Sequence, residues 1–233
     1  MVFSIIVPAF NEEKLLSGCL DSLVSLDYNK NKFEIILVNN NSSDRTKEIA
    51  LKYSRRGVKV FDEPKQGNVF ALIKGCAEAH GEILVFTDAD TKAPKNWLKK
   101  YEKVYRDKKV VCAGGPGKLR PVIFGSVLPE LIINWGGWLT GFASCFNLSI
   151  RESVYEKIGG FNPKINFHQD VYLALRAKKI GKFKFLTDNP VITSSRRYSN
   201  LKSVPYVLKA LVNIFTLLFF KKSVFFEFGD VRK

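Results

Sequence analysis

The chain has 233 residues, 46% of them hydrophobic, which is enough for one large domain with a sizeable core and excludes a largely disordered protein. Its net charge of +15 is uneven, because residues 176–233 hold 13 Lys and Arg against 3 Asp and Glu. A basic tail beside apolar sequence indicates an anionic membrane surface, with nucleic acid or a plain solvated surface as the alternatives.

Buried strands alternate with amphipathic helices through the first half of the chain. Apolar runs predict strands at 3–7, 33–38, 58–61 and 82–87. Helical spacing predicts helices at 14–26, 44–54, 68–80 and 94–106, with Ser43 as the cap of the second. The alternation predicts an α/β fold with a Rossmann-like, mainly parallel central sheet flanked by helices.

The second half has a less regular pattern. Strands are predicted at 110–113, 144–150, 184–186 and 191–193, and a helix at 170–179. Residues 114–141 are rich in Gly and Pro and predict a loop-and-helix insert. Trp135 and Trp138 in this insert are predicted to pack into the core, and stacking on the face of a sugar or a lipid is the alternative. The four cysteines are scattered among apolar residues without paired spacing, which predicts core positions and neither disulfides nor a zinc site.

A strongly apolar stretch at 205–220 carries one polar stripe, formed by Lys209, Asn213 and Thr216. Sixteen helical residues reach only about 24 Å, which is short for a bilayer crossing. The stretch therefore predicts an amphipathic helix lying in a lipid interface, or one that packs on the sheet or on a second subunit. Because the first apolar run is too short for a secretory signal, we expect a protein that faces the cytoplasm.

The most informative motif is V-F-T-D-A-D-T, in which a buried strand ends at Asp88 and Asp90. Side chains at i and i+2 of an extended chain point the same way. Two carboxylates at a strand tip suit a divalent cation that also takes phosphate oxygens, whereas a capping pair before the next helix is the alternative. The motif predicts a site for a metal-bound diphosphate.

Several motifs together make the chain resemble the family-2 inverting glycosyltransferases, which have the glycosyltransferase-A fold. They are S-I-I-V-P-A-F-N-E at 4–12, V-N-N-N-S-S-D-R-T at 38–46, 67–75, G-E-I-L-V-F-T-D-A-D at 81–90, G-G-F at 159–161, H-Q-D at 168–170 and S-S-R-R at 194–197. The resemblance covers about residues 2–200. It implies a catalytic domain at 1–200, with a nucleotide-sugar half at about 1–113 and an acceptor half at about 114–200, followed by a basic membrane-interface or packing segment at 201–233.

The resemblance also implies a donor site. The residues it assigns to the nucleotide sugar are Pro8, Ala9, Phe10, Asn11, Glu12, Asn40, Gln66, Gly67, Asp88, Ala89, Arg196 and Arg197. Asn40 stands where the family usually has an aspartate that accepts a hydrogen bond from the base, which leaves UDP and GDP donors open. A polar turn at Asn40 and a solvated basic turn at Arg196 and Arg197 are the alternatives.

By the same resemblance, Asp88 and Asp90 would bind Mn²⁺ or Mg²⁺ and Asp170 would be the catalytic base. Gln169 stands where many relatives have glutamate, and a helix N-cap is the alternative role for Asp170. The implied activity is metal-dependent, inverting transfer from a nucleoside diphosphate sugar to a carbohydrate or lipid-linked acceptor. A catalytically silent nucleotide-sugar-binding module is the second interpretation.

The implied setting is the cytoplasmic face of an anionic membrane, to which the protein would bind peripherally. Nucleic acid is not expected as a partner, and a homodimer is one possible assembly.

Overall fold

A computed structural model describes residues 1–165 and 168–198, together with Val212 and Thr216. Its first half contains four strands and four helices in strict alternation. The strands are β1 (Phe3–Ala9), β2 (Phe33–Asn39), β3 (Val58–Asp62) and β4 (Ile83–Phe86). The helices are α1 (Leu16–Val24), α2 (Thr46–Lys52), α3 (Asn68–Ala77) and α4 (Trp97–Tyr105).

Between Val110 and Tyr198, the described residues of the second half add five strands and three helices. The strands are β5 (Val110–Gly114), β6 (Gly117–Arg120), β7 (Leu148–Arg151), β8 (Lys182–Phe185) and β9 (Val191–Ser194). The helices are α5 (Phe124–Thr140), α6 (Glu152–Lys157) and α7 (Gln169–Ala177). A 3₁₀ turn, Arg196–Tyr198, follows β9.

One seven-stranded sheet runs through both halves in the order β3-β2-β1-β4-β7-β5-β8. Only β7 runs antiparallel to its neighbours in this sheet, and the other paired strands are parallel. A small parallel pair, β6 and β9, lies apart from it and is joined to the segment after β4 by a bridge between Lys92 and Ile192. This bridge brings the end of β9 close to the end of β4.

Helices cover both faces of the sheet, and the inner strands are buried on both sides because they are apolar at most positions, whereas the edge strands β3 and β8 carry exposed lysines. Along β1, Ile5 and Val7 belong to the core on the side of α1 and α4, whereas Ile6 belongs to the core on the side of α3, α6 and α7. Trp97 and Tyr101 are the largest fully buried side chains of the first core. The predicted mainly parallel α/β sheet is confirmed.

Several local predictions are wrong. Trp135 and Trp138 are 70% and 61% exposed on α5, so they do not pack into the core. Ser43 does not cap α2, since Asp44 accepts the Thr46 N–H instead. Helix α3 ends at Ala77 and does not reach His80. The residues before Leu148 form a 3₁₀ turn, where a strand was predicted. Strand β6 and helix α6 were not predicted.

The predicted amphipathic segment 205–220 lies outside the described residues except for Val212 and Thr216, which are both helical. Within the part of the chain that the structure describes, no helix has the length and apolar character needed to cross a membrane.

Candidate active site

The candidate site lies where β1, β2 and β4 end. These strands are parallel neighbours, so their carboxyl ends meet at one edge of the sheet. In open α/β sheets, ligands usually bind at this edge. The residues that follow the three strands are those that the sequence motifs single out: Phe10 to Glu12, Asn40, and Asp88 to Asp90.

The loop after β1 is fixed by the loop after β2. Asn11, with a left-handed φ of 53°, accepts a hydrogen bond from the Ser43 N–H at 2.9 Å. The Glu12 N–H donates to Thr46 Oγ1 at 2.7 Å, and the Glu13 N–H donates to Asp44 at 3.0 Å. These contacts hold the Glu12 carboxylate in a buried position at the sheet edge. Pro8 and Ala9 are buried in β1 itself, and Phe10 is partly exposed.

Asn40 holds the loop that precedes α3. Its Nδ2 donates to the carbonyl oxygens of Glu63, at 3.1 Å, and Lys65, at 2.7 Å, while its Oδ1 accepts from the Gly67 N–H at 2.8 Å. Gly67 has a φ of 136°, which favours glycine, and it forms the N-cap of α3. The amide of Asn40 thus positions Gly67, while Gln66 is exposed. Base recognition by Asn40 stays a prediction.

Asp88 and Asp90 follow β4 with the buried Ala89 between them. Asp90 accepts from Thr193 Oγ1 at 3.2 Å and pairs with Arg196 at 3.1 Å. Burial and the charge of Asp90 raise the pKa of Asp88 to about 7. A bound cation would favour the ionised form of both carboxylates.

The turn after β9 supplies the positive charge of the site. The Arg196 guanidinium donates to Glu12 and also reaches Asp90, so it links the loop after β1 to the segment after β4. The neighbouring Arg197 acts on Asp88 by charge and opposes the rise in the pKa of that group. Arg196 therefore lies against the acidic pair and Arg197 within electrostatic reach of it, and the binding roles of both arginines stay predictions.

Asp170 approaches from the opposite half of the chain, in the first turn of α7. Its Oδ2 accepts from the Cys145 N–H at 3.1 Å, and its Oδ1 accepts from the Val171 N–H at 2.8 Å. Burial raises the pKa of Asp170, and these two amides act in the opposite direction. The N-cap of α7 is His168, so Asp170 does not occupy that position. The charge of Asp170 also contributes to the raised pKa of Asp88, so the two carboxyl groups lie within electrostatic reach of each other.

The donor set fits a cation that also binds the ligand. Among the residues that the structure describes, no group of three or more His, Cys, Asp or Glu side chains is arranged to hold a metal ion by itself. Mg²⁺ and similar hard cations are commonly bound by one or two carboxylates together with substrate phosphates and water. Asp88 and Asp90 are the residues that would supply the protein ligands.

Thr193 is a site residue that the sequence motifs did not reveal. It is buried, donates to Asp90, and accepts from Thr91 Oγ1 at 2.9 Å. It orients the carboxylate of Asp90 from the far end of the chain. Because its position depends on the bridge between Lys92 and Ile192, no local pattern in the sequence could have found it.

The chain matches the model of the family described as Glycosyl transferase family 2 over residues 4–159. A probable glycosyltransferase of Bacillus subtilis (strain 168), YdaM, is 31% identical over 76% of the chain and 47% of its own length. The dolichyl N-acetyl-α-D-glucosaminyl phosphate 3-β-D-2,3-diacetamido-2,3-dideoxy-β-D-glucuronosyltransferase of Methanococcus voltae is 30% identical over 90% of the chain and 64% of its own length. The chain thus spans between about half and two thirds of the length of these relatives.

A solved mannosyltransferase from Pyrobaculum calidifontis, PcManGT, in complex with GDP-Man and Mn²⁺, shares the fold with a TM-score of 0.79 at 21% identity, over 95% of this chain and 64% of its own. The family model covers two thirds of the chain and includes the loop after β1, the Asp88–Asp90 pair and β7. The chain therefore belongs to glycosyl transferase family 2.

Proposed function

We propose that this glycosyltransferase carries out metal-dependent, inverting transfer of a sugar from a nucleoside diphosphate sugar to a lipid-linked acceptor. The proposal is carried by one observation: Asp88, Asp90 and Arg196 lie at the carboxyl edge of the sheet, within electrostatic reach of Arg197 and Asp170. The GDP-Man and Mn²⁺ bound to PcManGT support the donor class and the metal, and the name of the M. voltae relative supports a lipid-linked acceptor.

The leaving diphosphate would lie between the acidic pair and the arginine turn. Asp88 and Asp90 would hold a divalent cation, which when bound offsets the negative charge on the departing diphosphate. The guanidinium groups of Arg196 and Arg197 suit the oxygens of a diphosphate, because they donate in a planar fork. Arg196 would exchange its contacts with Glu12 and Asp90 for the phosphate oxygens.

Asp170 would take the proton of the acceptor hydroxyl as that oxygen attacks the anomeric carbon. A single displacement needs one base on the side opposite the leaving group, and Asp170 is carried by α7, a different element from the strand that precedes the acidic pair. The Cys145 N–H orients its carboxylate, while burial makes it a stronger base than an exposed aspartate. One base is sufficient, so Gln169 is compatible with catalysis.

The test separates transfer from donor binding. We expect Asp170→Asn to lower the transfer rate by at least about 100-fold, because the base is lost. Stabilisation of the fold against heat by UDP or GDP with Mn²⁺ should persist, since the donor site is unchanged. The matched control is Asp188→Asn, at a side chain that is 74% exposed and pairs with Lys100.

Normal transfer by Asp170→Asn would contradict the role of this residue. The absence of a metal-dependent thermal shift with either nucleotide, on folded protein, would contradict the donor class. Binding without transfer in the unmodified chain would favour the silent binding module.

We further propose that residues 1–200 form the catalytic domain and that the protein binds peripherally to the cytoplasmic face of the membrane.

A further inference from the structure

Helix α5 exposes an apolar stripe. Phe124, Leu128, Leu131, Trp135 and Trp138 follow one another at spacings of four and three residues, which places them on one face of the helix. Each of these side chains is more than half exposed. Most monomeric proteins keep such a contiguous apolar surface covered, so the α5 face, defined by these five residues, indicates a binding surface.

The α5 face carries no charge of its own. Between Pro121 and Gly141 the only ionisable side chain is Glu130. Its carboxylate accepts from the Leu119 N–H at 2.7 Å and pairs with Arg120, so it is directed towards β6. The rings of Trp135 and Trp138 meet edge to face with their centroids 6.4 Å apart. Exposed tryptophans on an uncharged helix face are typical of helices that lie in a lipid interface.

Cationic side chains lie at both ends of the helix. At its start lie Arg120, which is paired with Glu130, and Arg197, which precedes Tyr198, whose carbonyl oxygen lies against Gly125. At its end, Lys178 donates to the carbonyl oxygen of Thr140 at 2.6 Å. Anionic lipid head groups complement this arrangement, in which an apolar stripe is flanked by positive charge. Two copies of the face packed against each other would instead bring like charges together.

Helix α5 also borders the candidate active site at both ends. Its start is joined to the arginine turn, because Ser195 donates to the carbonyl oxygen of Pro121 at 2.6 Å. Its last turn packs against Phe142, which lies in the loop that provides the Cys145 N–H to Asp170. A membrane or other surface bound to the α5 face would therefore lie next to the arginine turn, which is the proposed diphosphate site, and next to the loop that orients Asp170.

We propose that the α5 face inserts into the interface of an anionic membrane and holds the active site at the lipid surface. The inference rests on the proposed function, because the lipid-linked acceptor would be presented from that membrane surface. It adds that α5 is the element that binds the membrane. Membrane binding by α5 is independent of donor binding and is measured separately.

Tryptophan fluorescence of the full chain reports on α5 directly. The chain has three tryptophans, and Trp97 is fully buried, whereas residues 199–233 contain none. Vesicles of phosphatidylcholine with about one third phosphatidylglycerol should shift the emission of Trp135 and Trp138 to shorter wavelength. Phosphatidylcholine brominated on its acyl chains should quench it. Uncharged vesicles should bind more weakly.

Leu128→Ser should weaken vesicle binding about tenfold, because one buried apolar side chain is lost from the interface. Leu51→Ser is the matched control, since Leu51 is 51% exposed on α2 and Leu128 is 60% exposed on α5. Unchanged emission in the presence of vesicles that bind the protein would overturn the inference and assign binding to residues 199–233. A concentration-dependent dimer that Leu128→Ser abolishes would overturn it in favour of a second copy. If UDP or GDP with Mn²⁺ still stabilises the fold, the proposed function survives either result.

Discussion

Asn40 stands where the family resemblance implies an aspartate, and its contacts give a local reason for an amide at this position. Its two N–H groups donate to the carbonyl oxygens of Glu63 and Lys65, and its amide oxygen accepts from the Gly67 N–H. A carboxylate has no hydrogen to donate, so an aspartate could make only the last of these contacts. The departure from aspartate therefore has a structural explanation in the loop before α3, whether or not the same amide also contacts the base.

Asn40→Asp should destabilise the fold by about 2–3 kcal/mol, because it places a buried carboxylate against two carbonyl oxygens that lose their donors. Urea denaturation at pH 7 measures the change. Asn41→Asp is the matched control at an exposed position of the same loop, with an expected effect within about 0.5 kcal/mol. Full stability of Asn40→Asp together with tighter UDP binding would show instead that this position reads the base and does not hold the loop.

Arg196 links Glu12 to Asp90, and this contact would compete with a cation bound at Asp90. Arg196→Gln should therefore strengthen binding of Mn²⁺ alone by about tenfold and weaken binding of UDP or GDP by a similar factor, since the variant loses a charged donor to the diphosphate. Calorimetry gives both affinities. Arg55→Gln, in an exposed turn after α2, should change neither. A shift of both affinities in the same direction would contradict the competition.

Among the elements, those with a strong pattern were predicted and those that depend on distant partners were not. Strands β1, β2 and β4 have near-continuous apolar residues, and all four strands of the first half agree with the prediction to within two residues at each end. Strand β6 has no apolar run and exists because it pairs with β9, which lies more than 70 residues later. The end of β4, which is followed by Asp88 and Asp90, was predictable from the sequence, whereas the position of Thr193 was not.

At the amino ends of the strands, on the side of the sheet away from the candidate site, Glu34 joins three elements. Its carboxylate accepts from Ser4 Oγ at 2.6 Å, from Lys59 at 2.8 Å and from the His80 N–H at 2.8 Å. Burial alone would raise the pKa of Glu34, but these donors together hold it below its usual range. The carboxylate therefore connects β1, β2 and β3 to the turn that follows α3.

Glu34→Gln should cost about 1–3 kcal/mol at pH 7, because a charged acceptor of three hydrogen bonds is replaced by a neutral one. A lowered pKa in the folded state contributes stability above the unfolded pKa of about 4.3, and this contribution is lost as the pH falls through the folded value. The difference between variant and parent should thus shrink below about pH 4. Urea denaturation between pH 3 and 7 measures it. Glu82→Gln, at an exposed side chain, is the control, and a difference that is independent of pH would contradict the assignment.

For the whole molecule, the sequence suggested two functional halves that meet near residue 113, but the sheet does not divide there. Strand β7 comes from the second half and inserts between β4 and β5 in an antiparallel direction. Its position could not be predicted from periodicity, since an apolar strand shows neither its neighbours nor its direction. The consequence is that the acidic pair after β4 and the loop that orients Asp170 are built on adjoining strands.

Asn147 makes the connection between the halves at the level of side chains. Its Oδ1 accepts from Trp97 Nε1 at 2.9 Å and from the Tyr101 hydroxyl at 2.7 Å, while its Nδ2 donates to the carbonyl oxygens of Pro116 and Asn189. All four hydrogen-bonding positions of this fully buried amide are therefore used, and they join α4 to two segments of the second half.

We expect residues 1–198 to unfold as one cooperative unit, because both the sheet and this network cross the boundary between the halves. Near-ultraviolet circular dichroism, dominated by aromatic side chains, and far-ultraviolet circular dichroism should give the same melting midpoint.

Asn147→Ala should lower the free energy of unfolding by about 3 kcal/mol or more, since it leaves Trp97 and Tyr101 without their buried acceptor. Both signals should still shift together. Two separate transitions, with only one moved by Asn147→Ala, would show that the halves are independent folding units joined at the sheet.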